Sequence, residues 1–431
     1  MRRSLAVASL AGVVGNLAAP AVAILTAPML ARGLGVAERG DLAGATSPFM
    51  LAVAAATLGL PEAVVFLTAR AGCVDRRLTR QAIIILTGVG VIVAILLAVV
   101  VSPSLRTDAA RHACWISLFL LPWCLAIGSI RGAAMGIHAW GRVSAEKLTT
   151  ASSRLVAISL LFAFGHLSVL TAATAIAGSM ALGAVTYLGT FSAHRGSVFP
   201  RPERPSFDML GFGVRYWSGS LAGTLLLRLD QLLMVPLTSS TELGLYAVAV
   251  SIAEVALVLN LALKDIMLAT EAGDSNEERV VSFARLSTLL TTALGLFVLS
   301  ASWLLVEPLF GADFADSRII IAILVLGIVV GNPGSICGAG MSGWGRPGLR
   351  SIAVAAAAAV NFGLVLILVP TYGGAGAAWA TVAGNAVAGN LNIVFCRRYF
   401  GLSMSRFYGI RRSDLALLVR GLDSLRARLG S

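Results

Sequence analysis

The sequence alternates between long apolar stretches and short charged ones. Eight runs contain no Asp, Glu, Lys or Arg and are about as long as a membrane span or longer: 4–31, 42–61, 81–105, 113–130, 155–193, 286–306, 319–345 and 351–396. A helix needs about 20 mostly apolar residues to cross a hydrocarbon core roughly 30 Å thick. Two of these runs, 155–193 and 351–396, have room for two spans each. Residues 211–270 form another apolar pair, divided by the polar turn 238–242. The pattern therefore predicts about twelve transmembrane helices.

Composition points to the same class. Hydrophobic residues make up 57% of the 431 residues and charged residues only 13%, with a mean hydropathy of +0.87. Soluble domains carry about 25% charged residues, and disordered chains are polar. We therefore predict an all-α integral membrane protein without a nucleic-acid partner. The five cysteines follow no metal-ligand or disulfide spacing, so we expect neither a metal, nor a disulfide, nor a cofactor.

The positive charges predict the orientation of the spans. With the amino terminus in the cytoplasm, the inner segments hold 26 Lys and Arg residues and the outer loops five. Cytoplasmic loops are enriched in Lys and Arg, so this split favours both termini inside. Two arginines, Arg131 and Arg228, lie within predicted spans.

Two short motifs recur at one shared offset of 204 residues. Trp-Gly-Arg stands at 140–142 and again at 344–346, and Glu-x-Gly-x-x-Ala-x-Ala stands at 38–45 and again at 242–249. Each half then holds six spans, an even number, so the halves face the same way. This is the parallel repeat of several secondary transporters, related by a pseudo-two-fold axis along the membrane normal.

The repeat predicts four segments along the chain. Residues 1–193 and 211–398 are the two six-helix lobes, and the Arg- and Pro-rich residues 194–210 are a cytoplasmic linker. Residues 399–431 are a basic tail with leucines at helical spacing. Such a helix binds an anionic inner leaflet, and docking on the protein's own cytoplasmic face is the alternative.

Several further motifs carry a family resemblance: Leu-Ala-Arg-Gly-Leu-Gly at 30–35, Arg-Leu-Asp-Gln at 228–231, Gly-Leu-Tyr at 244–246, Phe-Gly-Ala-Asp-Phe at 310–314 and Tyr-Gly-Gly-Ala-Gly-Ala-Ala at 372–378. The chain resembles the polysaccharide-biosynthesis flippases of the multidrug/oligosaccharidyl-lipid/polysaccharide exporter superfamily. The resemblance implies translocation of a lipid-linked oligosaccharide from the inner to the outer leaflet of a bacterial inner membrane. It also implies a pathway shared with a polysaccharide polymerase or glycosyltransferases, and a central cavity lined by spans one, two, seven and eight.

Polar residues inside spans are the candidate site residues, because charge within a bilayer is costly and often functional. The candidates for substrate binding are Arg228, Asp230, Asn16 and Asn361. A planar guanidinium suits a substrate diphosphate. The alternative is that Arg228 is neutralised by Asp230 or by Glu254, which lies at a similar depth on span eight.

The asparagines have a functional and a structural interpretation as well. Asn16 and Asn361 can bind sugar hydroxyls or hold helices together.

Two acidic residues are candidates for coupling or ion pairing, Glu62 and Glu254. Glu62 near the inner end of span two binds a coupling proton or cation, or else reaches water at the interface. Arg131 lies toward the cytoplasmic end of span four, where we expect its side chain to extend to the lipid headgroups.

The chain has no GxxxxGK[ST] loop, which argues against an ATP-driven pump. Its outer loops are too short for the catalytic site of a membrane polymerase, so we expect no enzyme. The remaining alternative to a flippase is a cation-coupled multidrug exporter of the same superfamily. Glu62, Asp230 and Glu254 favour that alternative, and Arg228 argues against it.

Overall fold

The computed structural model describes residues 2–188, 205–273 and 276–409, with the side chains of the first helix described from Ala18 onward. Throughout these ranges the chain is helical and contains no strand. The helices are α1 (Arg2–Ala55), α2 (Leu60–Ala71), α3 (Arg76–Val101), α4 (Asp108–Phe119), α5 (Leu121–Gly136), α6 (Trp140–Ala163), α7 (Val169–Leu182), α8 (Pro205–Leu237), α9 (Ser240–Gly273), α10 (Glu277–Phe310), α11 (Ser317–Gly343) and α12 (Pro347–Phe400).

Eight helical stretches of the described residues are long and apolar enough to cross a membrane. Helices α1 and α12 have 54 residues each, and each loses helical geometry at one glycine. These are Gly35 (φ 75°) and Gly373 (φ 54°), and a positive φ costs glycine little because it has no Cβ. Each of the two long helices therefore holds two helical segments. The prediction of an all-helical, multi-pass membrane protein is confirmed.

Local sequence signals set several helix starts. The Asp75 carboxylate accepts hydrogen bonds from the backbone N–H groups of Arg77 (2.8 Å) and Leu78 (3.2 Å), which caps α3. Ser168 and Thr171 form a capping box at the start of α7. Such side chains satisfy N–H groups that have no partner within the helix.

The first of two compact units comprises residues 1–251 and 307–315. Within it, α1 packs along α6 and α8, and α2 packs against α5. The α2–α5 contact depends on small residues, because a Cβ at Gly132 would overlap the backbone of Pro61 and one at Gly136 would crowd Thr68. Small residues allow membrane helices to approach closely.

The second unit comprises residues 252–306 and 316–431. A row of glycines on α11 packs against the second segment of α12: Gly327, Gly331, Gly334 and Gly338. Beside this row, the buried Asn332 amide donates hydrogen bonds to the hydroxyls of Ser287 and Thr288, each 2.9 Å long, and accepts one from Asn260. This buried network joins α9, α10 and α11.

The predicted domain limits stay predictions. Residues 194–204 of the predicted linker and 410–431 of the predicted tail lie outside the described residues. Helix α8 begins at Pro205 and α12 ends at Phe400.

One expectation is wrong. Cys337 and Cys396 pair as a disulfide between α11 and α12, although their spacing in the sequence had suggested none. The expectation that Arg131 extends to the headgroups stays a prediction, and the structure adds an ion pair to it. The Arg131 Nε and Nη2 atoms donate to the two carboxylate oxygens of Glu146 at 2.7 and 2.5 Å. The Glu146 side chain is only 3% exposed and also accepts a hydrogen bond from the Tyr187 hydroxyl at 2.8 Å, so the pair joins α5 and α6 to the segment after α7.

Candidate functional site

The predicted second span, 42–61, is interrupted near its inner end. Helix α1 ends at Ala55 and α2 begins at Leu60. Between them, Leu58 (φ 47°) and Gly59 (φ 65°) adopt left-handed backbone conformations, which are uncommon for a residue such as leucine. Pro61 stands in the first turn of α2, where a proline fits because that N–H group has no partner within the helix. The helix is therefore broken at 56–59, and the short helix α2 follows the break.

Helix α8 covers this break. The indole N–H of Trp217 donates to the carbonyl oxygen of Ala55, one of the orphan carbonyls at the end of α1. The backbones of Gly59 and Gly213 touch so closely that a Cβ at Gly59 would overlap the Gly213 carbonyl. These two contacts hold the break against α8.

Glu62 lies in the first turn of α2, after the break. Its Oε2 atom is buried and has no hydrogen-bond partner among the described residues, while the side chain as a whole is partly exposed. A carboxylate in the first turn is favoured by the helix dipole. In transporters with broken helices, coupling ions bind at unwound backbone carbonyls and half-helix C-termini, whereas half-helix N-termini face anionic groups. Chemically, this carboxylate can take up a proton or a cation.

Asp230 on α8 is buried and hydrogen-bonded within the helical hairpin. Its Oδ2 accepts a hydrogen bond from the Tyr246 hydroxyl of α9, and its Oδ1 accepts one from the Gln231 backbone N–H at 2.7 Å. Asp230 is 4% exposed and Tyr246 is fully buried. A buried carboxylate must be hydrogen-bonded, so this geometry favours an anchoring role for Asp230 within α8 and α9.

The other predicted site residues lie on α1, α8, α9 and α12. Arg228 on α8 is half-buried in the first unit, and Glu254 on α9 is half-buried in the second. Each interacts with another group, and their mutual pairing stays a prediction. Asn361 on α12 is 1% exposed, and its side-chain amide has no partner among the described residues. The Asn16 side chain lies outside the described residues.

We expect Tyr246→Phe to lower the free energy of unfolding by about 1–3 kcal/mol, because a buried carboxylate loses a hydroxyl donor. The measurement is thermal unfolding in detergent. The control is Tyr372→Phe, since Tyr372 is 66% exposed. Equal stability of the two variants would show that the Asp230 contact contributes nothing.

A second polar cluster lies where the predicted outer ends of α1, α4, α8 and α9 meet. The Asp41 carboxylate accepts a hydrogen bond from the Ser240 hydroxyl at 2.5 Å and one from the Thr107 hydroxyl at 2.9 Å. Arg106 donates to the Thr238 carbonyl oxygen at 2.9 Å. Asp41 is 8% exposed and borders a small pocket that is open to solvent. We call Asp41, Arg106, Thr107, Thr238 and Ser240 the outer cluster.

Next to the outer cluster, α1 and α9 touch backbone to backbone. A Cβ at Gly40 would overlap the Ser240 carbonyl oxygen, and one at Gly244 would overlap the Val36 carbonyl oxygen. Gly40 and Gly244 are the equivalent glycines of the repeated motif, and Val36 and Ser240 are separated by the same offset of 204. The contact is therefore reciprocal.

The described residues contain no group of three or more His, Cys, Asp or Glu side chains placed to hold a metal ion.

The sequence matches one known protein family. A family model described as polysaccharide biosynthesis protein matches residues 4–263, more than half of the chain. The chain belongs to this polysaccharide biosynthesis protein family. The resemblance inferred from the short motifs is thereby confirmed, and no curated protein matches the sequence.

Solved structures share the fold of this family member at low identity. An inward-facing multidrug resistance MATE transporter of the MOP superfamily is 17% identical, with a TM-score of 0.70 over 90% of this chain and 98% of the other. The lipid II flippase MurJ in an inward closed conformation is 11% identical, with a TM-score of 0.72 over 92% of this chain and 88% of the other. A MOP transporter from Pyrococcus furiosus is 16% identical, with a TM-score of 0.62 over 93% and 95%. The chain thus has the fold of these MOP superfamily transporters.

Proposed function

We propose that this protein moves a lipid-linked oligosaccharide, carried on a polyprenyl diphosphate, from the inner to the outer leaflet for cell-surface polysaccharide biosynthesis. The sugars and the diphosphate cannot cross hydrocarbon unaided. The protein shelters this head group while the lipid tail stays in the bilayer. In the bacterial inner membrane, its substrate would come from glycosyltransferases and its product would go to a polysaccharide polymerase.

The observation that carries this proposal is an arginine within the predicted membrane span of α8, in a member of a polysaccharide biosynthesis family. Arg228 is half-buried on α8, two residues from Asp230. Because Asp230 accepts hydrogen bonds from Tyr246 and Gln231, its carboxylate is held within the hairpin. The Arg228 guanidinium is a group suited to a diphosphate, which it would bind in a bidentate manner.

Twelve spans with both termini inside belong to this proposal. Dividing α1 at Gly35 and α12 at Gly373, and adding α6 and α8 to the eight long apolar stretches, yields that number. The reciprocal contact of Gly40 and Gly244 supports the pseudo-two-fold axis. In two-fold symmetry, if residue i contacts residue j, the equivalent of j contacts the equivalent of i.

The proposed mechanism of transport is alternating access, in which the substrate site opens first to one side of the membrane and then to the other. Substrate enters from the cytoplasm while the outer cluster holds the outer ends of α1, α4, α8 and α9 together. It leaves after those ends separate and the inner ends close. Glu62, with its buried oxygen beside the helix break, is the proposed coupling carboxylate. Asn16 and Asn361 are the proposed partners of sugar hydroxyls. The predicted basic tail, 399–431, is proposed to bind the anionic inner leaflet through its residues 410–431.

The experiment for Arg228 is leaflet transfer of a fluorescent lipid-diphosphate oligosaccharide in proteoliposomes. We expect Arg228→Ala to slow transfer at least about tenfold, since a charge-assisted contact contributes about 1.5–3 kcal/mol. The transfer rate of Arg228→Lys should lie between those of wild type and Arg228→Ala, because lysine keeps the positive charge but lacks the planar guanidinium that binds two oxygens at once. Arg80→Ala, at an exposed arginine, is the matched control. If Arg228→Ala folds and transfers lipid at the wild-type rate, Arg228 does not bind the substrate.

A cation-coupled multidrug exporter is the second candidate, and the unpartnered oxygen of Glu62 favours it. Such an exporter uses acidic residues to attract cationic drugs and to take up coupling ions. Glu62→Gln separates the two candidates. It should abolish dye efflux under an ion gradient in an exporter. In a flippase it should remove only the dependence of lipid transfer on that gradient.

A further inference from the structure

After α12 ends, the chain continues along the surface of the second unit. Gly401 adopts a left-handed conformation (φ 71°) and its N–H group donates to the Arg397 carbonyl oxygen at 3.1 Å, which ends the helix. The segment that follows contains one short 3-10 turn, Met404–Phe407. We call residues 401–409 the strap.

Two apolar side chains anchor the strap in the core of the second unit. Phe407 is 1% exposed and Leu402 is 3% exposed. Their buried neighbours come from four different helices: Met267 of α9, Val280 and Ala284 of α10, Ile336 of α11, and Ile393 of α12. The strap therefore ties together the predicted inner ends of α9, α10, α11 and α12.

Polar contacts position the strap on either side of Phe407. The buried side chain of Arg285 on α10 donates to the Arg406 carbonyl oxygen at 2.8 Å. The Arg406 guanidinium pairs with Glu278, and the Tyr408 hydroxyl donates to the Asn390 side-chain oxygen at 2.9 Å. A segment bound only by its apolar residues would lack these directional contacts. The strap therefore binds the helices in one defined position.

The strap is also held by few contacts, so it can detach from the helices. It is nine residues long with two buried anchors, and the Glu278 side chain is 73% exposed. Exposed ion pairs contribute little because water replaces them readily. Segments with few buried contacts open without unfolding the rest of a protein, and moving elements are drawn from such segments.

We propose that the strap is a releasable latch, seated on α9, α10, α11 and α12 in this conformation and released when their inner ends rearrange during transport. The inference rests on the proposed function, because the rearrangement is that of a transport cycle. When the strap is bound, it holds the inner ends of α9, α10, α11 and α12 together. When it is released, these ends can move relative to one another.

The test of release locks the strap reversibly. The variant carries Asn390→Cys and Tyr408→Cys, together with Cys73→Ser, which removes the partly exposed native thiol. A short bifunctional methanethiosulfonate reagent then cross-links the two introduced thiols. We expect leaflet transfer to fall at least about tenfold in the locked protein and to recover with reductant, since a protein held in one state cannot populate the other. The two single-cysteine variants are the controls. Equal transfer before and after reduction would overturn the latch, and so would failure of the cross-link to form.

The test of seating does not depend on transport. We expect Phe407→Ala to raise amide hydrogen exchange at 277–287 about tenfold, since exchange follows local opening. Phe164→Ala, at a phenylalanine that is 72% exposed, should leave this exchange unchanged. Unchanged exchange in Phe407→Ala would overturn the latch. If wild-type protein moves no lipid while the cross-link forms and the exchange at 277–287 rises in Phe407→Ala, the proposed function fails and the seated strap stands.

Discussion

Gly40→Ala is expected to slow leaflet transfer at least about tenfold, because overpacking typically costs about 1–3 kcal/mol and each 1.4 kcal/mol is roughly tenfold. The new Cβ would overlap the Ser240 carbonyl oxygen and lie 2.8 Å from the Gly244 nitrogen. These are backbone atoms, so no rotamer change relieves the overlap. The closed arrangement of the outer ends loses stability, and the protein shifts toward conformations in which they are apart.

Gly44→Ala is the matched control on the same helix. There the nearest atoms are the flexible ends of Leu105, Leu243 and Val235, at 3.3–3.4 Å. Transfer should stay near the wild-type rate. Gly244→Ala should reproduce the effect of Gly40→Ala, because Gly244 meets the Val36 carbonyl oxygen in the same way. Wild-type transfer by Gly40→Ala would show that this backbone contact is not part of the cycle.

Arg131→Ala is expected to lower the free energy of unfolding by about 2–3 kcal/mol, less than for a fully buried ion pair because the Arg131 side chain is 38% exposed and partly screened by solvent. Glu146 is 3% exposed at its side chain, and the bidentate Arg131 contact is its charge partner. The truncation leaves a buried carboxylate that keeps the hydrogen bond from the Tyr187 hydroxyl but loses the guanidinium. Thermal or denaturant unfolding in detergent measures the loss.

Arg111→Ala tests the same chemistry at the surface. Arg111 and Asp108 form an ion pair at 2.9 Å with side chains 41% and 81% exposed. Its loss should cost less than about 1 kcal/mol, because exposed pairs are solvated and screened. Similar destabilisation of Arg111→Ala and Arg131→Ala would contradict the importance of burial at Glu146.

The apolar runs predicted the helices well because each helix must cover its backbone polar groups within the membrane. The break before Glu62 was missed because residues 56–61 are as apolar as their surroundings, and hydropathy does not register backbone geometry. The Gly59-Leu60-Pro61 sequence was the available signal. Glu146 was missed because the topology argument counted only Lys and Arg in the inner segments.

The sites could be predicted only in part, because position along a helix does not specify which neighbour a side chain meets. Asp230 was predicted to bind substrate, whereas its oxygens accept hydrogen bonds from Tyr246 and Gln231. That assignment stays a prediction that the hairpin geometry disfavours. The repeat was more informative. Its offset of 204 residues makes Gly40 and Gly244 equivalent positions, and the two glycines meet at one contact.

Leaflet transfer and dye efflux measured in the same wild-type proteoliposomes test the central claim most directly. The vesicles hold a fluorescent lipid-diphosphate oligosaccharide in one leaflet and a cationic dye in their lumen, with and without an ion gradient. The flippase account predicts that the lipid crosses while the dye stays enclosed. Dye efflux driven by the gradient, with no transfer of the lipid, would contradict it and establish the multidrug exporter instead.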